Sequence, residues 1–179
     1  MDNQEPKKFL DQDFLIKLKS EFDELSNKVL ESNLSKELKT YLSVLIENIL
    51  KAIRKYTVDG IQGLEEAAKS LAYDLLIIEP KLKEGDKQNP VLKKVIATGL
   101  SLVTFITPNL YDLIGVVPAL HDEIWRNNFQ ALVVYRDNIA KMLSDGLNIQ
   151  EALNKAPDTF KEQKALSPSK EDGKNDIEN

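Results

Sequence analysis

Apolar residues recur along this chain at helical spacing, interrupted at a few points by Gly, Pro and clusters of small polar residues. Leu15, Leu18, Phe22, Leu25 and Val29 follow one another at 3, 4, 3 and 4 residues, which places them on one stripe of a helix. Asp11 and Asp13 stand in its first turn, where carboxylates complement the helix dipole. Glu31 to Leu34 reads as a short connection, and Ser35 as the N-cap of a second helix. That helix carries the seam Leu38, Leu42, Leu45, Ile49, Ala52 and Tyr56. Tyr41, Val44, Ile46, Leu50 and Ile53 widen it into a face broad enough for two neighbours. Lys51, Arg54 and Lys55 crowd its last turn, where the dipole favours cations.

The pattern breaks at Thr57-Val58-Asp59-Gly60. Asp59 is placed to cap a third helix, with Gln62 reaching back to it. Ile61, Leu64, Ala68, Leu71, Leu75 and Ile78 form its stripe, and the small Gly63, Ala67, Ala68 and Ala72 allow close approach of a neighbour. Glu65 and Lys69 are spaced for an ion pair, and Pro80 ends the helix. Pro80 to Asn89 reads as an exposed, mobile polar connection. Asn89 followed by Pro90 is a helix start, and the next helix runs from Val91 to about Ile106.

Val95 to Leu120 is the most apolar stretch of the chain, with Asp112 its one charge. A bilayer-spanning helix needs about 20 predominantly apolar residues. The uncharged run stops at Tyr111 and is broken by Pro108-Asn109, so a buried core helix is the expected reading. Thr98, Ser101, Thr104 and Thr107 set a row of hydroxyls along it, expected to bond the backbone one turn earlier. Beyond Pro108 a short helix ends near Gly115 and Pro118 opens a long amphipathic one, about 119–145. Trp125, Phe129, Leu132, Ile139 and Leu143 mark its apolar side, and Gly146 caps it. Asn148 and Glu151 cap a last short helix before Pro157.

The fold these elements predict is all-α: a single compact bundle of about six helices around a buried central apolar helix. Residues 1–8 form a flexible arm, 9–163 the bundle and 164–179 a disordered tail. Near-heptad spacing in the first three helices predicts coiled-coil-like packing between antiparallel neighbours, crossing at roughly 20°.

Composition narrows the chemistry. A net charge of −5 removes the global basic field of a nucleic-acid binder, and no nucleic acid is expected. Cysteine is absent, so neither disulfides nor thiolate chemistry enter. The start, MDNQEPKKFLDQDF, lacks the apolar core of a secretory signal, and a cytoplasmic protein is expected. The single histidine, His121, precedes Asp122 and Glu123, but neighbours on a helix diverge by about 100°, so the three do not converge. Arg126-Asn127-Asn128 matches half of an Arg-and-His ribonuclease motif whose histidine is missing from 130–138. No catalytic, cofactor-binding or metal-binding residue is assigned, no cofactor is implied, and the chain is expected not to be an enzyme.

The functional expectation is a non-enzymatic protein-binding module of the adaptor, antidote, immunity or regulatory type, its partner another protein or a second copy. Surplus apolar and aromatic residues suggest an interface at Tyr41, Ile46, Leu50, Trp125, Phe129 and Val134. Two alternatives stand beside it: membrane association through 95–120, and carriage of an apolar ligand.

Overall fold

The computed structural model describes residues 10–107 and 128–155, and among these there are helices and no strands. The helices are α1 (Gln12–Glu31), α2 (Lys36–Arg54), α3 (Tyr56–Ile78), the single turn α4 (Glu84–Lys87), α5 (Pro90–Ile106), α6 (Asn128–Ser144) and α7 (149–155). A 3-10 turn, Glu79–Lys81, follows α3 and contains Pro80. The all-α bundle expected from periodicity is the fold observed.

The apolar stripes fill one core. On α1 the five predicted positions are buried, joined by Phe14. Each fully enclosed Leu or Phe there contributes roughly 1.5–3 kcal/mol through burial. Asp11 is the N-cap, its carboxylate accepting from the Phe14 N–H at 2.7 Å. α2 packs on α1 and on α3, as its double-width face requires, and α5 packs on α3, α1 and α6. Thus α1, α2, α3 and α5 close a four-helix ring, with α6 laid over α5 and α1.

Directions follow from the contacts. The Phe14 and Phe105 rings stack at 5.5 Å, so the start of α1 meets the end of α5. Lys94, near the start of α5, reaches Glu21 and Glu24 at 3.6 Å. The two helices are therefore antiparallel. α6 runs parallel to α1, with Phe129 edge-on to Phe14 and Arg136 Nη1 paired to Glu21 at 2.6 Å.

α5 is the central helix. Every residue from Val95 to Thr107 is buried. Ser101 donates to the Ala97 carbonyl at 2.6 Å, and Thr104 to those of Leu100 and Ser101 at 2.9 and 3.0 Å. Thr98 and Thr107 depart from that expectation: their buried hydroxyls have no partner among the described residues. α3 approaches at Gly99, where a methyl group would stand 2.8 Å from Leu71 Cδ2.

Two connections differ from expectation. The turn Thr57–Gly60 does not end a helix in hydrogen-bonding terms; α3 begins at Tyr56 and passes through a kink at Gly60, whose φ of 63° and ψ of −158° suit glycine alone. Gln62 does not reach back to a cap but donates to Glu66. The polar connection 80–89, expected to be loose, is fastened. Asp86, mostly buried, accepts from both the backbone N–H and the hydroxyl of Ser35, and Asn89 Nδ2 donates to Asn33 Oδ1 at 2.7 Å. Ser35 stands at the N-cap of α2 as expected, yet makes no side-chain cap bond there.

The later punctuation is as read. Asn89 caps α5 through Val91 N–H, and Asn148 caps α7 through Glu151 N–H at 2.8 Å. Gly146 N–H bonds the Leu143 carbonyl and Leu147 N–H that of Met142, a Schellman ending for α6. Glu65 and Lys69 pair at 2.8 Å. The expected helix before Gly115, the start of the long helix, the arm 1–8 and the tail 164–179 lie outside the described residues.

Candidate docking surface

Among the described residues six large apolar side chains stand exposed: Ile16, Leu30, Val44, Val58, Tyr73 and Ile77. Ile16 and Val58, 57% and 83% exposed, share one hollow. It lies at the end of the bundle where α1 begins, α2 ends and α3 begins, and encloses about 800 Å³. Leu10, Leu15, Ile53 and Tyr56 line it more deeply, and Lys19, Arg54 and Asp59 are among its polar lining.

Local sequence explains the shape. Ile16 follows Leu15 directly, so it sits about 100° off the buried stripe and faces out. Lys55 and Gly60 bound a single helical turn, 56–59, and that turn carries Val58 away from the core. Its base is tied down: the Leu10 N–H donates to the Tyr56 hydroxyl at 2.8 Å, linking the start of α1 to the start of α3. Burial at this position pushes the Tyr56 phenol above its ordinary pKa, partly offset by that hydrogen bond. Lys19 is paired with Asp23, and Arg54 with Glu47.

A second, polar hollow of about 500 Å³ adjoins the first, sharing Asp59 and Gln62 and adding Lys51, Lys55 and Glu66. A third hollow, about 580 Å³, runs between the end of α1 and the outer face of α2, with Leu30 and Val44 as its apolar residues. Among the described residues no group of three His, Asp or Glu is placed to hold a metal ion.

Of the six residues expected at an interface, the five that are described do not form one exposed surface. Ile46 and Leu50 are buried, used up in the contact of α2 with its two neighbours, and present no surface. Tyr41 is half-buried, its hydroxyl donating to the Asp74 carbonyl at 3.3 Å, and its phenol is raised in pKa by burial and by the Asp74 charge. Phe129 is half-buried against Phe14, and Val134 is half-buried on α6. Trp125 lies outside the described residues, as do His121, Asp122, Glu123 and Arg126. Sequence reasoning missed Ile16 and Val58. The signals were an apolar residue just off a stripe and a valine inside a helix break.

No helix among the described residues is long and apolar enough to cross a membrane, and the described part of 95–120, Val95 to Thr107, faces the bundle. Comparison with protein-family models, with curated proteins and with solved structures returned no match.

Proposed function

We propose that this chain is a non-enzymatic protein-binding module and that its docking surface is the corner formed by α1, α2 and the first turn of α3. One observation carries the reading: Ile16 and Val58 are both strongly exposed and both line one apolar hollow. Exposed apolar residues scattered singly need no explanation, but a concave apolar patch with a polar rim is the form of an interaction site. Ile16 is displayed by its place off the buried stripe of α1, and Val58 by the turn that precedes the Gly60 kink. The hollow is lined by three helices, which suits it to a preformed site with little rearrangement on binding.

The role is that of an adaptor, antidote or regulatory accessory protein, acting by occupying a partner. The absence of cysteine suits a reducing compartment, and we place the protein in the cytoplasm on that ground.

Affinity capture with the full chain tests the reading. Wild type and an Ile16→Asp/Val58→Asp variant are compared at equal amounts, each shown by circular dichroism to be folded. A partner retained by wild type and lost by the variant supports the proposal. Equal retention by both, or no reproducible partner, contradicts it.

A further inference from the structure

We infer that the segment accepted by this corner is an amphipathic peptide whose apolar side chains enter between Ile16 and Val58 and whose carboxylates meet Lys51 and Lys55. The inference rests on the reading of the corner as a docking surface and adds the chemistry of the partner.

Charge is the argument. The apolar and the polar hollow adjoin at Asp59 and Gln62, which line both, and together they make up the trough a ligand would span. Lys19, Lys51, Arg54 and Lys55 line it, against the carboxylates of Asp59 and Glu66. This excess of cations stands on a chain with 24 Lys and Arg against 29 Asp and Glu. The four cations are not equivalent. Lys19 and Arg54 are engaged by Asp23 and Glu47 on their own helices. Lys51 and Lys55 are exposed and enter no ion pair among the described residues. They are four apart on α2, where like charges repel. The dipole of α2 favours cations in its last turn but is only a partial charge and leaves both ammonium groups open to a carboxylate. Of the two facing carboxylates, Glu66 already accepts from the Gln62 amide at 3.3 Å.

A ligand that satisfies the whole trough therefore has two parts. Its apolar face fills the hollow below Ile16 and Val58, and its acidic flank lies over Lys51 and Lys55. A helical segment with apolar residues at i and i+3 or i+4 and acids on the adjoining face has both. A nucleic acid offers the charge without the apolar face, and a second copy of this chain offers acidic surface in general.

The test is selection of a random-peptide phage library on the full, immobilised chain, followed by binding of the synthetic lead peptide to variants. Enriched peptides are expected to pair helically spaced apolar residues with an excess of Asp and Glu. The lead peptide should bind the Lys51→Glu/Lys55→Glu variant about tenfold more weakly, with reduced salt dependence, and the Lys51→Arg/Lys55→Arg variant nearly as well as wild type. Ile16→Asp should abolish binding.

The failures are separable. Peptides lost with Ile16→Asp but indifferent to Lys51→Glu/Lys55→Glu, or enriched in Lys and Arg, overturn the acidic partner and leave the docking surface standing. Peptides indifferent to Ile16→Asp, or no enrichment at all, overturn the docking surface itself. A concentration-dependent dimer abolished by Ile16→Asp would make the occupant a second copy and overturn the inference.

Discussion

Asp86 closes on Ser35 from 51 residues away, accepting the backbone N–H at 3.2 Å and the hydroxyl at 3.0 Å. Ser35 is the N-cap of α2, so the carboxylate bonds the N-cap N–H from a distant segment, as the Glu of a capping box does from within the helix, and it also lies at the positive end of the helix dipole. Asp86 is the buried residue of the single turn α4. Replacing Asp86 with Ala should lower stability by about 1–2 kcal/mol, read as a reduced denaturation midpoint at unchanged slope. Asp86→Asn should cost less, because the amide still accepts one of the two bonds.

That contact also marks the limit of what the sequence discloses. Helices and stripes were legible because burial imposes a period, and caps because they act within three residues, as at Asn89 and Asn148, whereas Asp11, expected inside the first turn of α1, is its cap. The role of Asp86 was hidden because its partner is distant in the chain and the segment around it is polar. The corner proposed for docking was hidden for the converse reason. Ile46 and Leu50 are as apolar as Ile16 and Val58, and only the arrangement of neighbours decides which are covered.

Gly99 is fixed by Leu71. An added methyl would meet Leu71 Cδ2 at 2.8 Å and Cγ at 3.2 Å, and Leu71 is itself buried and cannot swing away. Alanine improves helix propensity by about 1 kcal/mol, but overpacking costs about 1–3 kcal/mol. Gly99→Ala should therefore be net destabilising, and Gly99→Val more so, both measured by thermal melting.

The Thr98 hydroxyl is buried without a hydrogen-bond partner among the described residues. Exchanging it for a methyl removes a desolvation penalty and keeps the shape. Thr98→Val should thus be neutral or stabilising by up to about 1–2 kcal/mol. The matched change Thr104→Val should destabilise, since Thr104 bonds two carbonyls. Denaturant titration of the two variants side by side checks the contrast.

Alkaline pH should loosen the fold. Burial holds the phenols of Tyr56 and Tyr41 neutral to higher pH than an ordinary tyrosine, and at Tyr41 the Asp74 charge acts in the same direction. In each case the folded-state pKa is raised, so the contribution is intact below the unfolded pKa and is lost as pH rises through the folded one. Melting temperature should fall above pH of about 10, and less steeply in Tyr56→Phe. The acid limb has the opposite sign. Lys28, and then Lys94, hold the Glu24 carboxyl below its usual range, so its contribution is present above the unfolded pKa and fades as pH falls through the folded one.

The central claim is that the corner bearing Ile16 and Val58 is where a partner sits, and site-specific photo-crosslinking in living cells tests it most directly. A photo-reactive amino acid is placed at position 16, at position 58 or at position 73, where the exposed Tyr73 provides an equally accessible apolar control on another face. The account predicts one protein adduct, the same from positions 16 and 58 and absent from 73. Adducts from position 73 alone, or none from 16 and 58, would contradict it.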